Sequence, residues 1–83
     1  MFSDVKLSMD DTGYLTGTVF SDDDGAKASI HLLRSERDDN RGHHFRAFLN
    51  SGFIGDYKTA REAIDSLLFI ANVRNAAGTL EMQ

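Results

Sequence analysis

The run Phe53–Ala71, FIGDYKTAREAIDSLLFIA, decides the fold. It reads as a short strand, a capped turn and one well-marked helix. Thr59 and Glu62 make the pattern T-x-x-E. In a capping box of that kind the Thr hydroxyl accepts from the Glu N–H, and the Glu side chain reaches back to the Thr N–H. Ala60, Ala63, Ile64, Leu67, Leu68 and Ala71 then recur at helical spacing and form one apolar stripe. Arg61, Glu62, Asp65, Ser66 and Asn72 fall off it. The spacing predicts a helix over 59–75, ended by Asn75 or Gly78 in a left-handed cap. Phe69 breaks the pattern, because at about 100° per residue it points almost directly away from the stripe. Val73 lies beside it and Ile70 on the shoulder. Two coverings suit this patch: the tail Thr79–Met82 folded over it, or a partner or second copy.

Upstream, the period changes from helical to alternating. Val5, Leu7 and Met9 share one face of a predicted strand Asp4–Met9. Asp10-Asp11-Thr12-Gly13 is a turn. In Tyr14–Ser21, Leu15, Gly17 and Val19 take one face; Tyr14, Thr16, Thr18 and Phe20 take the other. Gly17 in mid-strand signals a bulge or the close approach of another backbone. Asp22-Asp23-Asp24-Gly25 is the next hairpin loop, and Ala26–Arg34 the third strand, with Ala28, Ile30 and Leu32 inward. The polar run Ser35–Gly42 leads to a fourth strand, His43–Leu49, with Phe45, Ala47 and Leu49 inward. Asn50-Ser51-Gly52 turns the chain into the fifth strand, Phe53–Tyr57.

Short turns between consecutive strands favour an antiparallel meander. The expected fold is α+β: a four- or five-stranded antiparallel meander with one C-terminal helix packed on one face. The expected layout is a single domain over residues 1–83, with the sheet at 4–57, the helix at 59–75 and a tail at 76–83. The second sheet face then carries Tyr14, Thr16, Thr18, Phe20, His31, His44, Arg46 and Phe48. Such a face is either wet or covered by a partner.

Composition narrows the classes. The apolar share of 41% suits a globular domain, and 83 residues make only a small core. With no Cys, neither a disulfide nor a thiolate zinc site can brace it. The N-terminus lacks a basic region followed by an apolar run, and no stretch approaches the ~20 apolar residues needed to span a bilayer. The cytoplasm of the producing cell, or of a host, is the expected location. Net charge is −4 and uneven. Residues 1–25 hold six Asp against Lys6, a balance of −5; residues 26–61 carry +3 and residues 62–83 carry −2. The acidic front suits a partner with a basic groove; the basic middle suits nucleic acid.

Motifs for chemistry are few. Asp22-Asp23-Asp24-Gly25 has the look of a calcium loop, but Phe20 and His31 stand where that loop needs Asp and Glu. His31 and His44 could meet across a strand pair near Asp38 or Asp39, yet adjacent His43 and His44 point to opposite faces. No metal site and no cofactor are expected. There is no G-x-S-x-G elbow, phosphate loop or H-E-x-x-H, so no catalytic residue is assigned and no enzyme is expected. Arg34, Arg37, Arg41, His44, Arg46 and Phe48 are the candidate nucleic-acid face, with Tyr14 and Phe20 available to stack.

Two resemblances follow from residues 45–71 and from the layout. Gly55, Tyr57, Thr59 and Ala63 match the G-x-[FY]-x-T-x-x-x-A hinge. The strand–strand–helix around it resembles AP2/integrase-type DNA-binding domains, which implies DNA contact through the sheet. Size, acidity and layout, with Asp56-Tyr57-Lys58-Thr59 opening the helix, look like small phage anti-CRISPR and other anti-defence proteins. That likeness implies a non-catalytic inhibitor occupying a nucleic-acid-binding surface of another protein.

Three functional expectations result. In the first, Asp10, Asp11, Asp22, Asp23 and Asp24 at the hairpin tips present phosphate-like charge to a protein partner. In the second, the open sheet face binds nucleic acid directly. In the third, Phe69 and Val73 seal a homodimer. No membrane partner is expected.

Overall fold

A computed structural model of the chain describes residues 1–11, 14–34 and 44–80. The strands are β1 (Ser8–Met9), β2 (Leu15–Phe20), β3 (Lys27–Arg34), β4 (Phe45–Leu49) and β5 (Gly52–Tyr57), followed by helix α1 (Ala60–Ala76). They form one antiparallel sheet in the order β1-β2-β3-β4-β5, the predicted meander with five strands. The helix lies across β3, β4 and β5 on one face.

Alternation does the sorting. Val19, Ala28, Ile30, Leu32, Ala47 and Leu49 point to the helix and are buried with Ala63, Leu67, Leu68 and Ala71. The helix starts as predicted: the Thr59 Oγ1 accepts from the Glu62 N–H at 3.1 Å. Its end is a Schellman arrangement. The Thr79 N–H donates to the Arg74 carbonyl at 2.8 Å and the Gly78 N–H to the Asn75 carbonyl at 3.1 Å. Gly78, not Asn75, takes the left-handed conformation, at φ 73°. The β4–β5 turn is also left-handed, but at Asn50 and Ser51 (φ 49° and 70°) rather than at Gly52. Both central residues of a two-residue hairpin loop need positive φ when the turn follows the strand twist.

Three features depart from the expectations or go beyond them. The first strand is not Asp4–Met9: only Ser8 and Met9 pair with β2, and Met9 is 68% exposed. The chain before them leaves the sheet edge and crosses the helix-side face of β2 over Gly17. A Cβ on Gly17 would stand 2.5 Å from the Lys6 carbonyl oxygen, so Gly17 marks a close backbone approach. Val5 and Leu7 pack on the core from this crossing segment. The second is Phe2, which sequence periodicity passes over. It is fully buried in the core. Asn72 clasps its backbone, its Oδ1 accepting from the Phe2 N–H at 2.6 Å and its Nδ2 donating to the Phe2 carbonyl at 2.8 Å.

The third concerns the tail. Leu80 turns into the main core, held by the Asn50 Nδ2 donating to its carbonyl at 3.0 Å. Among the described residues nothing covers Phe69, which remains 69% exposed. Residues 81–83, the end of the predicted covering, lie outside the described residues. No described helix is long and apolar enough to cross a membrane.

Candidate functional site

The sheet face away from the helix is laid out by strand register. Thr16, His31, Phe48 and Phe53 are directly opposed across β2, β3, β4 and β5. The next row toward the β3–β4 connection holds Leu33, Arg46 and Asp56, with Tyr14 at the start of β2. On the other side Thr18 faces Ser29, and Phe20 faces Lys27. A register shift between Ala47 and Phe48 puts Phe53 beside Phe48 and leaves Ile54 turned to the core.

The rings touch in sequence. Tyr14 and His31 have centroids 5.2 Å apart, His31 and Phe48 6.2 Å, and Phe48 and Phe53 5.8 Å, all edge-to-face. Each such contact adds about 0.5–1.5 kcal/mol beyond area burial, so the row is stiff without any helix above it. The Arg46 guanidinium lies 5.5 Å from the Phe53 ring centre and its Nε donates to Asp56 Oδ1 at 3.2 Å. Tyr14, His31, Leu33, Phe48 and Ser51 line a shallow depression of about 250 Å³. Phe53 and Phe20 are 56% and 63% exposed. Among the described residues Lys27 and Arg46 outnumber Asp56 on this face of an acidic chain.

Not all of the predicted basic face falls here. His44 and Arg46 share the parity of Phe48, as expected. Arg34 stands opposite Phe45 and shares the parity of Leu32, so its strand position belongs to the helix side at the sheet's rim. Arg37 and Arg41 lie outside the described residues, as do His43, Asp38 and Asp39. His31 is flanked by Thr16 and Phe48 rather than by His44. Among the described residues no three potential metal ligands gather. Phe53 was missed as a face residue; its sequence signal was the aromatic following Gly52 at the edge strand's start.

The five acidic candidates do not form one patch. Asp10 and Asp11 lie before β2 and Asp22–Asp24 after it, so a strand of about 20 Å separates them. Asp10 accepts from the Tyr14 N–H at 3.0 Å and Asp11 is exposed. At the other hairpin, the N-terminal ammonium donates to Ser21 Oγ at 2.6 Å and Asp22 Oδ1 at 3.0 Å, and also to Asp23. Asp24 accepts from the Ala26 N–H at 3.0 Å and from Asn75 Nδ2 at 2.9 Å. These bonds tie the β2–β3 hairpin to the N-terminal segment and to the end of α1.

The same bonds set the acidity of the hairpin. The hydrogen bond from the N-terminal ammonium, then that from Ser21, holds the Asp23 carboxyl down at about 2. The Ala26 N–H, then Asn75, lowers Asp24, while Asp23 raises the ammonium. A carboxyl held low stabilises the fold above its unfolded value of 3.8, and that contribution disappears as pH falls toward about 2. The ammonium contributes below its ordinary 8.0 and loses its contribution as pH rises through its elevated value. Melting temperature is therefore expected to fall as pH drops from about 4 to about 2, and Asp23→Asn to flatten that slope. An unchanged slope in Asp23→Asn, followed by circular dichroism, would show the ammonium–Asp23 bond to be irrelevant.

No family model, no curated protein and no solved structure matches this chain.

Proposed function

We propose that this is a non-catalytic binding domain whose open sheet face takes single-stranded nucleic acid. The observation that carries the reading is the continuous row Tyr14–His31–Phe48–Phe53 on a sheet face that no element among the described residues covers, with Arg46 over its last ring. Four-stranded sheets with ring platforms of this kind stack about two or three bases, because every base offers a π-face. The hydroxyls of Thr16, Thr18 and Ser29 and the charges of Lys27 and Arg46 border the platform, where sugar and phosphate would run.

Fluorescence anisotropy with labelled single-stranded DNA and RNA tests the reading. Arg46→Ala and Phe48→Ala are each expected to weaken binding by about tenfold or more, since a stacked base is worth ~1–3 kcal/mol. Wild-type affinity should also fall steeply with salt. Absence of binding at low salt sinks the reading.

A protein partner is the second reading, favoured by the net charge of −4 and by exposed Asp22 and Asp23. In it the chain acts as an anti-defence-type inhibitor that sets carboxylates against a basic groove. Asp22, Asp23 and Asp24 would then serve both the partner and their own hairpin.

A further inference from the structure

We infer that β5 pairs edge to edge with the β5 of a second copy, making a two-fold dimer with one continuous sheet. The two sheet edges differ in kind. β1 is two residues long, the usual way a protein blunts an edge, whereas β5 is six residues long. Among the described residues no strand lies beyond β5. Gly52–Tyr57 holds no Pro and no Lys, the residues that ordinarily guard such an edge. Its one charge, Asp56, is paired with Arg46 of its own sheet.

Apolar groups stand on both sides of this edge. On the open face Phe53 is 56% exposed. On the helix face the relevant side of α1 follows from its contacts. Asn72 clasps Phe2 and Asn75 bonds Asp24, so that flank looks toward β2. Ile70 lies on the other flank, with Arg74 between it and Leu67, and Val73 stands between Ile70 and Phe69 at about 100° per residue. The helix covers β3 to β5, which places that flank beside the free edge. Val73 is 53% exposed and Ile70 is half-buried. Phe69, by contrast, points straight up from the helix and takes no part.

A second copy fits these features better than an unrelated strand. Antiparallel pairing about a two-fold axis sets the same strand against itself, and the strand's one charge, Asp56, is already paired with Arg46. The sheet's other edge is the two-residue β1 followed by the Gly17–Phe20 half of β2, which the N-terminal segment crosses at Gly17. The ladder is about 20 Å long. An interface built on one strand pair is at the low end for specific association, so a reversible dimer is expected.

Sedimentation velocity across a wide concentration range, with hydrogen exchange of the β5 amides, provides the test on the intact chain. Expected are a monomer–dimer equilibrium and exchange at residues 53–56 that slows with concentration. Phe53→Lys and Val73→Glu should each raise the dissociation constant at least tenfold, while Phe20→Lys at the far side of the face leaves it unchanged. All three positions are more than half exposed, so the variants should fold. A monomer at every concentration overturns the inference. So does a dimer that Phe53→Lys leaves intact, or one whose formation protects no β5 amide.

Discussion

Phe2→Ala is expected to cost the domain about 3–5 kcal/mol. The side chain is fully buried, and its removal leaves a cavity between the N-terminal segment, the sheet and α1. For 83 residues the whole stability is about 4–12 kcal/mol. One substitution near the N-terminus therefore removes a large share of it. The effect reaches beyond the cavity, because the Asn72 clasp on the Phe2 backbone and the Ser21–Asp23 bonds to the ammonium are positioned by that ring. Urea denaturation followed by circular dichroism measures it. A loss under about 1 kcal/mol, the value of a partly exposed side chain, would mean that the N-terminal segment is not part of the core.

Gly17→Val is expected to cost about 3 kcal/mol, the upper end for overpacking. The first added carbon would already sit 2.5 Å from the Lys6 carbonyl oxygen and 3.0 Å from Leu7 Cδ2. Backbone cannot yield as a side-chain tip can, so the crossing segment must lift from β2. Lifting it draws Val5 and Leu7 off the core. Valine is otherwise a good strand residue, so an isolated β2 would tolerate it. The same denaturation experiment separates the two outcomes. Stability equal to or above wild type would show that residues 5–7 do not pass over Gly17.

Local patterns made most of this fold legible. The T-x-x-E start, the Ala60–Ala71 stripe and the alternation in Lys27–Arg34 and Phe45–Leu49 each depend on near neighbours, and each matches the structure. Gly17 was also readable, because a glycine amid strand formers needs a reason. What escaped was long-range. Phe2 and Leu80 stand alone in polar surroundings, so no periodicity marks them; their burial depends on segments some 70 and 30 residues away in sequence. The strand Asp4–Met9 had the right alternation, yet alternation cannot say whether a segment pairs at an edge or crosses over a face.

The site was legible in part for the same reason. Tyr14, His31, Arg46 and Phe48 fall on one face by parity alone. Parity cannot supply the β4–β5 register shift that brings Phe53 beside Phe48, nor can charge counting show that Asp22 and Asp23 hold an ammonium. Arg34 was grouped with the basic face by composition, while its strand position opposite Phe45 belongs to the helix side.

The most direct test of the open-face account is NMR chemical-shift mapping during titration with a short single-stranded oligonucleotide at low salt. Expected are saturable shifts centred on Tyr14, His31, Phe48, Phe53 and Arg46, with the outer helix face silent. No shifts at any ratio, or shifts confined to Phe69 and its neighbours on α1, would contradict it.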